Sequence, residues 1–263
     1  MRNDVQIHGS TGTPVLLLPG GAESSAGFFP GLVEGLLAAP GCRIIEHDRP
    51  GTGSSTEPGS LATAASHLAG VITALECGPV VVVGQSLGGA VAVLLATEYP
   101  EIVSGMVLLD PTPITDGRGC ARLERSMGLV EKLGSIPLLR RALQLLVRSG
   151  IRRSVRGSEL RPDCQAAFDK LEALDVIKLA QAVRGIGQIS AELDKAALPR
   201  VPAVLVTADR KQGHEVAQAH ARLAERLGAP LIRWPGAAHN LHLDHPDETL
   251  ATVRDLLERT RES

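Results

Sequence analysis

Ser86 stands between glycines in Gly84-Gln85-Ser86-Leu87-Gly88. A serine hydroxyl is a weak nucleophile at neutral pH. It attacks carbonyl carbon when a base takes its proton and a carboxylate orients that base. Of the chain's 8 histidines, His239 is best placed for this, in Gly236-Ala237-Ala238-His239 after the last apolar run and before the last helical pattern. His242 and His245 fall in the run into that helix, where surface or capping roles are the default. Asp209, directly after Ala203-Val204-Leu205-Val206-Thr207, is the preferred acid. Asp110, directly after Met106-Val107-Leu108-Leu109, is its rival, because a carboxylate following either run could reach the histidine. Asp48 also ends an apolar run, but reads as a turn stabiliser ahead of Gly51 and Gly53.

Acyl transfer through a serine also needs donors for the oxyanion. One expected donor is the backbone N–H of Leu87, at a helix start. The other should come from the loop that Pro19 and Gly20 begin, with Gly21 the first choice and Ala22 the second. A Gly-Gly pair after a strand could instead cradle a nucleotide phosphate, but the third glycine at fingerprint spacing and the downstream acidic partner are both missing.

These residues need elements to hold them. Short apolar runs at Val15-Leu18, Arg43-His47, Val80-Val83, Met106-Leu109, Ala203-Thr207 and Leu231-Arg233 predict strands. Helical spacing recurs between them at Leu61-Glu76, Leu87-Tyr99, His214-Leu227 and Glu248-Arg259. That alternation predicts an α/β protein, a mostly parallel sheet with helices on both faces. Ser86 then lies on a tight strand-to-helix turn, where neighbouring backbone leaves room only for glycine at the flanks.

From about Thr112 to Leu198 the alternation stops, and helices are expected near Ala121-Leu133, Leu138-Val147, Gln165-Leu171 and Val176-Ile189 with no strand between. The predicted organisation is therefore a core of residues 1–111 and 199–263 with a helical lid, 112–198, inserted before the penultimate strand. The lid's first half is basic, from Arg118 and Arg122 through Arg140, Arg141, Arg148, Arg152, Arg153, Arg156 and Arg161. Solvated helix faces are the plain reading, and a preference for anionic substrates or a carrier-bound acyl group is the sharper one.

Lys+Arg 27 against Asp+Glu 29 gives no general field for nucleic acid or a membrane, so neither is expected as a partner. Aromatic residues at 2% argue against base-stacking platforms. Four scattered cysteines without metal-ligand spacing read as reduced thiols, and no metal is expected. Neither a secretory leader nor a membrane-length apolar run is apparent, and a soluble cytoplasmic protein is the expectation.

Taken together, Leu16-Leu17-Leu18-Pro19-Gly20-Gly21, Asp48-Arg49-Pro50-Gly51-Thr52-Gly53-Ser54-Ser55, Gly84-Gln85-Ser86-Leu87-Gly88-Gly89, Thr207-Ala208-Asp209 and Gly236-Ala237-Ala238-His239 resemble the α/β-hydrolase superfamily over nearly the whole chain, most closely its small lid-bearing serine esterase and lactonase members. The resemblance implies the α/β-hydrolase fold, a triad in the chain order Ser86, Asp209, His239, an oxyanion hole from the Gly21 and Leu87 amides, and no cofactor. Pro19 stands where many relatives carry histidine before the glycine. Gln85 replaces a common histidine, with little effect expected on the triad. The opening hairpin is expected to be reduced to Val5-His8 or lost.

The expected function is hydrolysis of an ester, lactone or thioester of a small, moderately hydrophobic substrate. Acyl transfer or carbon–carbon bond hydrolysis by the same serine is the alternative, as is a binding or cyclase role on the same scaffold. Dehalogenase and epoxide-hydrolase chemistry would want an aspartate at position 86.

Overall fold

The computed structural model describes residues 5–154, 160–211 and 213–261. Seven strands, β1 (Val5–His8), β2 (Pro14–Leu18), β3 (Arg43–His47), β4 (Val80–Gln85), β5 (Val103–Leu109), β6 (Ala203–Thr207) and β7 (Leu231–Arg233), form one sheet in the order β1-β3-β2-β4-β5-β6-β7. All neighbouring pairs are parallel except β1 with β3. The opening strand survives, then, but as an antiparallel edge on β3 and not as a hairpin with β2.

The core helices are α1 (Leu32–Ala38), α2 (Ala64–Ala74) and α3 (Leu87–Glu98), and the insertion carries α4 (Gly117–Gly134), α5 (Pro137–Ser154), α6 (Pro162–Glu172), α7 (Val176–Ala182) and α8 (Ile186–Leu193). After β6 come α9 (Glu215–Leu227), the short α10 (Leu241–Asp244) and α11 (Pro246–Arg261). Alternate side chains of each strand point to opposite faces. Leu16, Val82, Leu108 and Leu205 pack with α2, α3 and α9 on one face. Leu17, Val83, Val107 and Val206 pack with α1, α10 and α11 on the other. Both faces are covered, which is why the strands read as continuous apolar runs.

One expectation needs correction, and one helix is new. The helical pattern Val176-Ile189 is two helices, because the chain turns at Gly185 with φ +80°, a left-handed conformation that starts α8 afresh. Helix α1, anchored by Leu32 and Leu36 against the sheet, was not read from the sequence. Helices α4 to α8 all fall between β5 and β6, with no strand among the described residues there. Arg156 lies outside the described residues, as does the side chain of Arg153.

All four cysteines are free, with Cys42, Cys120 and Cys164 buried and Cys77 partly so. Among the described residues no helix is long and apolar enough to cross a membrane. Helix α3 approaches the sheet so closely that a Cβ on Gly88 would lie 2.1 Å from the Leu18 carbonyl oxygen, whereas one on Gly128 of α4 would meet nothing within 4 Å. Gly88→Ala is therefore expected to destabilise the chain by about 1–3 kcal/mol, while Gly128→Ala is neutral or stabilising by up to about 1 kcal/mol. Denaturant midpoints of the two variants check this.

Candidate active site

Ser86 follows β4 directly and caps α3 with φ +50° and ψ −116°, a conformation that L-residues rarely adopt. The turn is over-determined from both sides. Ser86 N–H donates to the Leu109 carbonyl at 3.1 Å, and its own carbonyl accepts from Thr112 N–H at 2.8 Å. Such strain persists only where surrounding structure enforces it, and here it lifts the hydroxyl clear of the sheet.

The Ser86 Oγ lies 3.0 Å from His239 Nε2, and His239 Nδ1 lies 2.6 Å from Asp110 Oδ2. An ionised carboxylate can only accept, so Nδ1 carries the proton and the Nε2 lone pair faces the serine hydroxyl. The loop bearing His239 is held by Gln85, whose side-chain amide donates to the His239 carbonyl at 3.0 Å. Gln85, expected to have little effect on the triad, thus positions the histidine loop; its place next to Ser86 was the available signal.

The expected pairing of Asp209 with His239 is not what forms. Asp209 Oδ1 accepts from Arg233 Nε at 2.7 Å, and its Oδ2 accepts from Gly236 N–H at 2.8 Å. Strand register explains this: Thr207 of β6 pairs with Arg233 of β7, so the chain leaving β6 meets an arginine at once. Asp110 is the carboxylate brought to the histidine. Only 1% of its side chain is exposed; it also accepts Ala208 N–H at 2.9 Å and a two-pronged bond from Arg210. Burial alone would raise its pKa, but the bonds from Arg210 and His239 outweigh burial and hold it well below the usual carboxylate range.

His220 is buried behind this group, with Nε2 donating to the Pro111 carbonyl at 2.6 Å and Nδ1 2.8 Å from Thr207 Oγ1. Burial lowers its pKa and keeps it neutral beside Asp110. His242, expected near the surface, is fully buried with its ring stacked on Phe28 at 4.5 Å. Burial pushes its pKa down to about 3. His245 stacks on Trp234 and does not reach Ser86 or Asp110 by any described bond.

A cavity of about 290 Å³ opens over Ser86, bounded by Gly21, Leu87 and His239 below and by Leu123, Met127 and Leu179 of the insertion above. Leu87 opens α3, so its N–H is one of those that a helix leaves without an internal acceptor. Gly21, at φ +56°, lines the same space. The loop holding Gly21 is tied down by Asp48, which accepts Ser25 N–H at 2.7 Å and Ser54 N–H at 2.7 Å. Among the described residues no cluster of three or more His, Cys, Asp or Glu could hold a metal ion.

Glu23 follows Gly21 and Ala22 beneath α7. Desolvation raises its pKa to about 7 despite the nearby Lys178. Its folded-state pKa exceeds the unfolded one, so ionising it costs stability as pH rises above the ordinary carboxylate range. Glu23→Gln should leave stability at pH 4 unchanged and raise it at pH 8 by about 1 kcal/mol after solvent screening, measured as a change in Tm.

Comparison with known proteins agrees with this architecture. An esterase of Mycobacterium tuberculosis is 26% identical over 260 residues, 95% of this chain and 84% of that protein. The lipase LipV of the same organism is 36% identical over 115 residues, 43% of each chain. A thermophilic esterase from Thermogutta terrifontis superposes with TM-score 0.75 at 18% identity, covering 97% of this chain and 93% of that one. MenH from S. aureus gives TM-score 0.75 at 17% identity over 98% and 99%. The structural likenesses are of fold. The profile of the Alpha/beta hydrolase family matches residues 15–252, and the chain belongs to that family of hydrolases.

Proposed function

We propose that the chain is a serine hydrolase that cleaves a carboxylic ester, lactone or thioester with an uncharged, hydrophobic acyl group. The observation that carries this is the continuous hydrogen-bonded chain from Ser86 through His239 to Asp110 at the floor of an apolar cavity. In the reaction His239 Nε2 takes the Ser86 proton as Oγ bonds to the carbonyl carbon. The oxyanion is held by the Gly21 and Leu87 amides, and the leaving group departs with the proton from His239. Water, activated by the same imidazole, then cleaves the acyl-enzyme and restores Ser86.

Arg210 lines the cavity, but its guanidinium is engaged by Asp110. It therefore offers an acyl group no uncompensated charge, and Leu123, Met127, Leu179 and Val183 supply apolar walls.

A fluorophosphonate probe should add one mass increment to the wild-type chain and none to Ser86→Ala; labelling of both would overturn the assignment. The acid is tested by a pair of variants. Asp110→Asn should lower kcat/KM on a small ester by about 10³–10⁴-fold, the scale expected when a histidine loses its orienting carboxylate. Asp209→Asn should cost less than about tenfold, since it touches only the Arg233 and Gly236 turn. A larger loss in Asp209→Asn than in Asp110→Asn, with both variants folded by circular dichroism, would return the role to Asp209.

A further inference from the structure

Helix α5 forms an outer layer of the insertion, packed on α4, α6 and α7. Leu143, Gln144, Val147 and Ile151 are partly buried on its inner side, and Gln144 donates to the Leu174 carbonyl. On the opposite side Leu138, Leu145 and Leu146 are 76%, 66% and 67% exposed. At 100° per residue these three and Ala142 form one stripe about a third of the way round the helix. Leu129 of α4 and Ile136 in the turn before α5 are exposed as well. Exposed leucines grouped this way on a soluble face mark an interaction surface.

One flank of the stripe is cationic, carrying Arg141, Arg148 and Arg152. Helix α5 holds Arg140, Arg141, Arg148, Arg152 and Arg153 and no acidic residue, in a chain whose net charge is −2. Arg140 is answered by Asp175. Arg152 is answered by Glu172, whereas among the described residues Arg148 bonds the neutral Glu172 carbonyl at 2.8 Å, so one carboxylate serves two arginines. Arg141 stands exposed on the same flank. The even charge balance that argues against a membrane partner averages over this helix.

We propose that the outer face of α5 docks on the surface of an anionic lipid bilayer, with Leu138, Leu145 and Leu146 entering the acyl boundary and Arg141 and Arg148 facing lipid phosphates. A second copy of the chain fits the face poorly. Two-fold pairing sets the same patch against itself, and α5 has no carboxylate to meet the partner's arginines. Because α5 rests on α4 and α7, which wall the cavity over Ser86, docking would hold the cavity's cover against the phase in which hydrophobic esters collect. That last consequence rests on the esterase reading; the docking does not.

The test is co-sedimentation of the Ser86→Ala chain with vesicles of phosphatidylcholine alone or mixed with phosphatidylglycerol. Binding to the mixed vesicles is expected, at least about tenfold weaker on phosphatidylcholine alone or at high salt. Leu145→Glu/Leu146→Glu should lose it about tenfold or more. The same double substitution in the chain with Ser86 intact should leave turnover of a short, water-soluble ester unchanged, which also shows that it folds. Failure of the wild-type surface to bind mixed vesicles, or undiminished binding by the double variant, would overturn the proposal. A dimer seen by light scattering, dissociated by the same substitutions and indifferent to vesicles, would assign the face to a second copy. Sedimentation reads docking even where no ester is turned over, so the two proposals fail separately.

Discussion

The buried Asp110 carboxylate is the constraint around which the site is built. Removing such an ion from water costs several kcal/mol unless its lone pairs are filled. Here they are filled by the Ala208 amide, the Arg210 fork and the His239 ring, all from segments that follow β6 or β7. Asp110 itself ends β5 with φ +44°, so the backbone is bent to bring the carboxylate to those donors. Parallel pairing of β5 with β6 sets both strand ends at one edge of the sheet, where Ser86 also stands after β4. A change in that register would separate the carboxylate from its donors and the imidazole from its orienting group.

Much of this arrangement was legible in the residues. The central strands could be read because they are buried on both faces, which makes Val80–Val83 and Ala203–Val206 apolar at every position. The glycines around Ser86 announced a tight turn for the same steric reason that leaves no room for a Cβ on Gly88. Less legible were features decided by a neighbour distant in the chain. Helix α1 is only 7 residues long, too short for a helical period to stand out. The break at Gly185 was hidden because apolar residues continue at helical spacing on both sides of that left-handed glycine.

The choice of acid is the clearest case. Asp110 and Asp209 each follow a strand, and β5 and β6 are adjacent, so position alone could not separate them. What separates them is the arginine that each one meets. Arg233 at the end of β7 captures Asp209 on the outer side of the sheet, while Arg210 folds inward and neutralises Asp110 within reach of His239. The tie made by Gln85 was hidden for a similar reason, since its partner is the carbonyl of a residue 154 positions away.

The roots of the helical insertion lie at opposite edges of the sheet. It leaves from the carboxyl end of β5, immediately after Asp110, and returns to the amino end of β6, where the Pro202 carbonyl accepts Met106 N–H. The departing root is bolted to Ser86 through the Thr112–Ser86 backbone bond, and the returning root is a full strand length away from it. Insertions, deletions or grafted helices joined near residues 199–202 can therefore change in length without moving the carboxylate. The same edits at residues 111–113 would shift Ser86 and Asp110 together, so variation in cover shape has mechanical freedom at only one of its two attachments.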